Sequence, residues 1–308
     1  MAQRRIGVAL GSGAARGLAH IGVLQALEAE GLEISFIAGT SMGAFVGGAY
    51  AAGNLARLAN DFLAFDWKRT VGLLDPVFPR SGLIDGQKLA RFLAAYDSRT
   101  DLEHLPIRFR AVAADMLTGA EVILDAGNLM DAVRASISVP GVLTPVRRNG
   151  RILLDGGLVN PVPVSVVREM GAEYIIAVDV SHDVIEHRLA QLHESATART
   201  AGAGAERLHD ALQALHSAAA DQFWAWLQRE PLPGIFDVLL SAVYIMQARI
   251  AHTNLSHDRP DLIIRPPLGT IKFMDFDRAG EIIEVGYRVT REAVAAGLPS
   301  HPLPDVRK

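Results

Sequence analysis

One five-residue stretch, residues 39–43 with the sequence Gly-Thr-Ser-Met-Gly, constrains this chain more than any other. Residues 34–38 form an apolar run typical of a buried strand, and residues 44–52, rich in small side chains, favour a helix. A G-x-S-x-G pattern between a strand and a helix predicts a sharp turn that lifts Ser41 above the sheet, at the positive end of the helix. Gly39 and Gly43 would keep that turn free of side chains. The same short pattern also occurs in ordinary turns, so the rest of the sequence has to distinguish a nucleophile from a plain turn.

A strand–loop–helix unit precedes this turn. Residues 6–10 predict a first strand, residues 11–17 a glycine-rich turn, and the apolar spacing over residues 18–30 an amphipathic helix closed by Gly31. Two strands joined through a helix are expected to be parallel neighbours with a right-handed crossover. The glycine-rich turn and Ser41 would therefore share the carboxyl edge of one sheet, where α/β folds bind their ligands.

The glycine-rich turn admits two interpretations. Its G-x-G start is typical of dinucleotide-binding folds, but that fingerprint has a third glycine where this chain has Arg16, and an acidic residue where the second strand here runs into Ser41. The dinucleotide interpretation is therefore disfavoured. In the other interpretation, backbone N–H groups of the turn point at the oxyanion that forms when Ser41 attacks an ester. Arg16 would add a positive charge nearby, or would be a surface or ion-pairing residue.

Composition narrows the class of protein. Half of the 308 residues are hydrophobic, which is enough for the core of one large α/β domain. The net charge of -4 argues against a nucleic-acid partner, and the lack of cysteine excludes disulfides, a thiolate nucleophile and zinc–thiolate sites. No stretch is apolar enough for a membrane span or for a signal peptide at the first residues, so we expect a cytoplasmic protein. We expect no metal and no cofactor.

The remaining chain predicts further elements around this unit. Helical patterns run through residues 54–96, with a loop at 71–79, and strands are predicted at 107–114, 120–124, 151–154, 174–180 and 261–266. Further helices are predicted at 131–138, 235–250 and 279–296. Because the composition changes at Ser181, we divide the chain into a catalytic core over 6–180, a helical insertion or cap over 181–234, and a part over 235–308 that completes the same domain.

Histidine is one candidate for the base that a serine nucleophile needs. In α/β-hydrolases the histidine comes late in the chain, which would nominate His252 or His257. That fold needs three or four strands before its nucleophile, whereas Ser41 follows the second predicted strand, and the two histidines fall at an ordinary helix end and turn. His20 is expected on a helix surface. These observations weigh against a histidine base.

Asp155 is the better candidate. It ends an apolar strand, where a carboxylate has no packing reason to be, and Gly156 and Gly157 after it let the chain turn away. An aspartate near its ordinary pKa of about 3.9 is a weak base, but partial burial beside Ser41 would raise that pKa toward a useful value. The alternative is a strand-end aspartate that only caps a turn.

Three segments in combination resemble the motifs of the patatin-like phospholipases. They are residues 11–17, 39–43 and 155–157, in the family's order and at similar spacing, and they are most like those of the small bacterial members. Residues 17–24 and 134–141 support the resemblance, which covers about residues 6–180 and weakens after Ser181. The resemblance implies an α/β three-layer sandwich, with a mostly parallel central sheet and helices on both faces.

The resemblance also implies a function. The implied function is hydrolysis of acyl esters by a serine hydrolase of the esterase, lysophospholipase or phospholipase A type. Its catalytic dyad would consist of Ser41 and Asp155, and it would need no cofactor. The oxyanion loop would consist of Ser12, Gly13 and Ala14, and the supporting positions would be Gly11, Arg16, Gly17, Gly39, Gly43, Gly156 and Gly157. The family usually has glycine where this chain has Ala14, and a Cβ there disfavours a positive φ by about 1 kcal/mol or more.

A second class of function stays open at this point, a catalytically weak regulatory or partner-binding protein on the same fold. For the hydrolase we expect a lipid or acyl-ester substrate, no nucleic acid, and peripheral contact with a membrane, at its inner face. The segment 181–234 contains an apolar stripe that is either a core-docking face or the face of a mobile cap that opens on lipid. The stripe consists of Leu208, Leu212, Leu215, Phe223 and Trp226.

Overall fold

A computed structural model describes residues 4–65, 100–184 and 235–297 of the chain. The strands are β1 (Ile6–Leu10), β2 (Ile34–Thr40), β3 (Arg108–Asp115), β4 (Glu121–Leu124), β5 (Val146–Arg148), β6 (Arg151–Asp155), β7 (Tyr174–Val178) and β8 (Leu262–Ile264). The helices are α1 (Ala19–Ala29), α2 (Met42–Ala51), α3 (Leu55–Leu63), α4 (Leu129–Ser136), α5 (Val164–Glu169), α6 (Ile235–Asp258) and α7 (Ala279–Gly297). Short 3₁₀ turns lie at Ala14–Leu18, Leu102–His104, Gly156–Leu158 and Phe276–Arg278.

Some predicted segments lie outside the described residues. These are the helical pattern and loop between residues 66 and 96, and residues 185–234 of the predicted insertion with its apolar stripe. The division into core, insertion and C-terminal part therefore stays a prediction.

Inside the described residues, the predicted strands and helices form, with four differences. Helix α5, at Val164–Glu169, was not predicted, since six residues are too few to show a helical period. The helix expected from Leu18 begins one residue later, because residues 14–18 form a 3₁₀ turn. The three-residue strand β5 was not predicted, since two of its residues are arginines and it has no apolar alternation. Helix α6 extends to Asp258, so both His252 and His257 belong to it.

The eight strands of the described ranges form one sheet. The order is β5-β6-β3-β2-β1-β7-β8, and β4 pairs with β3. β3, β2, β1, β7 and β8 are parallel, which confirms the predicted parallel neighbourhood of the first two strands. Leu10 at the end of β1 lies opposite Gly39 of β2 and Val178 of β7, so the loops that follow these strands share one edge of the sheet.

Strand β3 pairs with three strands, and this pairing brings two predicted site residues together. β4 occupies one edge of β3 at Val112 and Ala113. On the other edge, the parallel strand β2 ends with Thr40 opposite Val112, and the antiparallel strand β6 ends with Asp155 opposite Ala113. β2 and β6 thus run toward each other and stop at adjacent positions of β3. The turn after β2 therefore meets the end of β6.

Helices cover both faces of the sheet. On one face, α1, α2, α3, α4 and α7 pack on side chains that include Val8, Leu10 and Ile37. On the other face, α5 and the second half of α6 pack on alternate residues of the same strands, among them Ala9 and Ala38. Strand residues alternate between the faces because successive side chains of a strand point to opposite sides. The predicted three-layer α/β architecture is confirmed.

The last helix packs directly on the first. A Cβ added at Gly22 of α1 would lie less than 3.0 Å from the carbonyl oxygen of Ile283, and one at Gly286 of α7 less than 3.0 Å from the carbonyl oxygen of Ala19. Only glycine permits this approach of the two backbones. Helix α7 thus belongs to the layer that contains α1. None of the helices in the described ranges is long and apolar enough to cross a membrane.

Candidate active site

Ser41 occupies a strained turn between β2 and α2. Its φ of 58° and ψ of -122° lie in a region that residues other than glycine rarely adopt. A Cβ at Gly39 would lie less than 3.0 Å from the backbone of Gly43, and a Cβ at Gly43 less than 3.0 Å from the carbonyl oxygen of Leu10. The two glycines therefore permit the sharp turn that the sequence predicts. Strain of this kind costs about 1–3 kcal/mol and is typical of functional sites.

The Ser41 hydroxyl does not cap its own helix. Ser41 is the N-cap residue of α2, a position where a serine side chain usually accepts a hydrogen bond from the first turn, yet its side chain makes no cap bond. Instead, Oγ donates to Oδ2 of Asp155 at 2.6 Å. The hydroxyl oxygen thus stands at the positive end of α2 with its proton directed at a carboxylate, an arrangement that favours a developing alkoxide.

Asp155 is 1% exposed, at the end of β6. Its Oδ1 accepts a hydrogen bond from the backbone N–H of Gly157 at 2.7 Å. Burial raises the pKa of Asp155 to about 6, and the hydrogen bonds from Ser41 and Gly157 oppose that rise. A carboxylate with this pKa is a stronger base than an exposed aspartate and is still ionised near neutral pH. The pair can therefore transfer a proton from Ser41 Oγ to Asp155 Oδ2.

The turn after Asp155 passes close to β3. A Cβ at Gly156 would lie less than 3.0 Å from the carbonyl oxygen of Val112. A Cβ at Gly157 would lie less than 3.0 Å from Oδ1 of Asp155 and from the side chain of Gln247. Close approach to the backbone of β3 thus requires glycine at position 156, whereas a Cβ at position 157 would displace the ends of two side chains.

Sequence reasoning missed the role of Ser136, the last residue of α4. Its hydroxyl is fully buried, accepts a hydrogen bond from the backbone N–H of Ser41 at 2.9 Å and donates to the carbonyl oxygen of Val112 at 2.5 Å. These bonds tie the strained turn to β3, where β2 ends. The only signal in the sequence was the position of Ser136 inside the supporting stretch 134–141.

The glycine-rich turn after β1 has two unused backbone donors. The N–H groups of Gly11 and Ser12 donate to the carbonyl oxygens of Val178, at 3.1 Å, and Pro161, at 2.8 Å. In the described part of the chain nothing accepts from the N–H groups of Gly13 and Ala14. Of the three residues predicted for the oxyanion loop, Ser12 thus has its amide already bonded, which leaves Gly13 and Ala14 as candidate donors.

Ala14 adopts the backbone conformation that the sequence analysis identified as costly. Its φ is 49°, in the left-handed region. The loop therefore keeps a shape suited to glycine although this chain has a Cβ there.

Arg16, within the glycine-rich turn, is not a surface residue, and it forms no ion pair with any residue that the structure describes. Its side chain is buried, Nη1 donates to the carbonyl oxygen of Ile271 at 2.9 Å, and the guanidinium lies 4.6 Å from the centroid of the Tyr244 ring. Among the described residues no carboxylate pairs with it. A Cβ at Gly17, one residue further, would lie less than 3.0 Å from the side chain of Met42. These contacts fix the loop against α2 and α6.

The three histidines considered in the sequence analysis, His20, His252 and His257, do not contact the Ser41–Asp155 pair. The prediction that His20 lies on a helix surface is wrong: it is fully buried, and its Nε2 lies 2.7 Å from the carbonyl oxygen of Gly11. Burial lowers the pKa of His20 to about 4, so the neutral ring donates Nε2–H to that carbonyl. His252 and His257 are exposed on α6. In the described ranges no three His, Asp or Glu side chains are grouped to hold a metal ion.

Comparison with known proteins points to one family. The family model described as patatin-like phospholipase matches residues 8–168, which contain Ser41, Asp155 and the glycine-rich turn. An uncharacterized NTE family protein of Mycobacterium tuberculosis is 34% identical over 330 residues, with 95% of this chain and 92% of that protein covered.

Two further proteins are similar to this chain at lower sequence identity. The lysophospholipase NTE1 of the yeast Meyerozyma guilliermondii is 29% identical over 322 residues, which is 99% of this chain but 20% of that protein. The crystal structure of VipD from Legionella pneumophila aligns with 96% of this chain at 14% identity and a TM-score of 0.44. The alignment with NTE1 extends over nearly the whole chain, beyond the matched family segment.

Proposed function

The chain belongs to the patatin-like phospholipase family, and we propose that it is a serine acyl hydrolase that cleaves carboxylic esters of lipids. The observation that carries this proposal is the 2.6 Å hydrogen bond from Ser41 Oγ to Oδ2 of the buried Asp155, made by a serine held in a strained turn. The similarity to a lysophospholipase supports a lipid ester as the substrate.

In the first half of the proposed reaction, Ser41 Oγ attacks the acyl carbon of the ester and its proton passes to Asp155 Oδ2. The electron pair of the C=O bond moves to the carbonyl oxygen, and the N–H groups of Gly13 and Ala14 would stabilise this oxyanion. The tetrahedral intermediate then collapses, the bond to the alcohol oxygen breaks, and Asp155 gives its proton to the leaving alcohol. An acyl ester on Ser41 results.

In the second half, water takes the place of the alcohol. Asp155, again ionised, accepts a proton from the water while the water oxygen attacks the acyl carbon. Collapse of the second tetrahedral intermediate releases the carboxylic acid, and the Ser41 oxygen recovers the proton from Asp155. The same carboxylate thus serves as base and as acid in each half, which requires a pKa near the working pH.

Peripheral contact with a lipid surface is part of the proposal. Helix α6 supports it, because one helix face carries four large apolar side chains that are about half exposed: Val238, Leu239, Ile245 and Met246. The same helix contacts the glycine-rich turn through Gln247 and Tyr244. Replacing Leu239 and Ile245 by serine should weaken co-sedimentation with phospholipid vesicles while hydrolysis of a soluble ester continues. Unchanged sedimentation would remove this part of the proposal.

The hydrolase proposal is tested with two substrates, a short-chain nitrophenyl ester and a lysophospholipid. Ser41→Ala and Asp155→Asn should each lower kcat/KM by more than about 10²-fold, since losing a nucleophile or a base has effects of at least that size. Asp131→Asn and Ser256→Ala, at exposed positions, are the matched controls and should retain activity. Wild-type protein inactive on both substrates would favour a regulatory role on the same fold.

A further inference from the structure

Gln247 of helix α6 reaches both halves of the candidate site, although it lies outside the segment that matches the family model. Its side chain is buried, with 6% of the residue exposed. Oε1 accepts a hydrogen bond from the Ser12 hydroxyl, in the glycine-rich turn, at 3.3 Å. On the other side, a Cβ at Gly157 would lie less than 3.0 Å from both Nε2 of Gln247 and Oδ1 of Asp155. The amide nitrogen therefore stands over Gly157, next to the carboxylate that binds Ser41.

The amide nitrogen of Gln247 has unused donors. A glutamine amide carries two N–H donors, and Nε2 is not one of the fully buried atoms without a partner in the described residues, so its donors stay accessible. Within the described part of the protein, Nε2 donates to no group, while the Ser12 bond to Oε1 fixes the orientation of the amide. A side chain more than nine-tenths buried, with donors held beside the reacting carboxylate, points to an acceptor that a ligand supplies.

The position of this amide relative to the reaction identifies which part of the substrate it would meet. In the proposed reaction the acyl oxygen faces the N–H groups of Gly13 and Ala14, and Asp155 returns the proton to the leaving oxygen. The alcohol half of the ester therefore lies on the Asp155 side, where Nε2 stands. A neutral donor suits an uncharged oxygen such as a hydroxyl group.

We propose that Gln247 binds a hydroxyl oxygen of the alcohol half of the substrate and so selects esters of polyols, such as glycerol, over esters of simple alcohols. This inference rests on the proposed hydrolase function. Gln247 contributes to the choice of leaving group, and it has no part in the proton transfer between Ser41 and Asp155.

The test compares two soluble esters with the same acyl chain, glycerol monobutyrate and ethyl butyrate. Both have an alkoxide leaving group, but only the first has hydroxyl groups near the ester. Gln247→Leu should lower kcat/KM for the glycerol ester by roughly three- to tenfold, the loss expected for one hydrogen bond. It should leave kcat/KM for the ethyl ester within about twofold. Gln247→Met, of similar length, serves if the leucine variant does not fold, and His252→Leu, exposed on the same helix, is the matched control.

Three outcomes would overturn the inference. Two of them leave the hydrolase proposal intact, and one overturns it as well. An equal loss on both esters in the Gln247 variants would assign the side chain to packing, and no loss on either ester would show that it contacts no substrate hydroxyl. Both results leave the hydrolase proposal intact, because the wild-type protein is active. Wild-type protein that cleaves neither butyrate ester, nor the nitrophenyl ester, nor the lysophospholipid would overturn the hydrolase proposal and this inference with it.

Discussion

Replacing Asp155 by asparagine should stabilise the protein above pH 6 even as it removes activity. Burial holds the pKa of Asp155 at about 6 against an ordinary value of 3.8. As the pH rises, the unfolded chain therefore ionises first, and the wild-type protein loses stability between these two values. The loss is absent below about pH 4 and complete above pH 6. Asparagine carries no charge, so the variant avoids it.

The magnitude follows from the size of the pKa change. A rise from 3.8 to about 6 corresponds to about 3 kcal/mol, at about 1.4 kcal/mol for each pKa unit. An asparagine can keep both polar contacts, because its oxygen accepts from the N–H of Gly157 and its amide group donates to the Ser41 oxygen. We therefore expect a gain of about 2–3 kcal/mol in the free energy of unfolding near pH 8, and a gain of only a few tenths near pH 4.

The assay is urea unfolding of wild-type and variant protein, followed by circular dichroism at about pH 8 and about pH 4. Ser41→Ala is the matched control, since it is also expected to be inactive but retains the buried carboxylate. Its stability should still fall with rising pH, and the fall should move to higher pH because a hydrogen bond that lowers the pKa of Asp155 is gone. An Asp155→Asn gain that is equal at both pH values, or absent, would refute the reasoning.

Three further predictions concern the rate of ester hydrolysis. Because the base must be ionised, kcat/KM should rise about tenfold per pH unit up to about pH 6 and level off above it; a flat profile from pH 4 upward would contradict the raised pKa of Asp155. Ala14→Gly relieves the positive φ and should raise kcat by about fivefold for each 1 kcal/mol recovered in the transition state, whereas an unchanged or lower rate would mean that the alanine costs nothing there. Ser136→Ala leaves the Ser41 N–H and the Val112 carbonyl without their buried partner, so kcat should fall about tenfold or more and the unfolding free energy by about 1–3 kcal/mol; a wild-type kcat would show that the turn does not depend on Ser136.

The sequence predicted the fold and the meeting of Ser41 with Asp155 because both depend on local patterns. Apolar runs mark the strands, and glycines mark the close turns at Gly39, Gly43 and Gly156. The parallel pairing of β1 and β2 brings the turns after them to one edge, whereas Asp155 reaches Ser41 at the end of an antiparallel strand, a pairing that the sequence did not predict. A carboxylate at the end of an apolar strand stands out for the same reason. The head-on arrangement of β2 and β6 along β3 shows how these local features come together.

Contacts between side chains that are far apart in the sequence are not marked by any local pattern of residues. Ser12 and Gln247 are 235 positions apart, and nothing in the helical spacing of α6 separates Gln247 from its neighbours. Ser136 looked like one more polar residue at a helix end, and His20 was placed on a surface because periodicity cannot tell which helix faces other elements cover. The roles of these side chains depend on packing, which composition and spacing do not encode.

The central claim, that Ser41 is a nucleophile activated by Asp155, is tested most directly by reaction with a fluorophosphonate followed by mass spectrometry of the labelled peptides. We expect one phosphonyl group per chain, attached to Ser41, with no adduct in Ser41→Ala and strongly slowed labelling in Asp155→Asn. Wild-type protein that takes up no label, or an adduct that persists in Ser41→Ala, would contradict it.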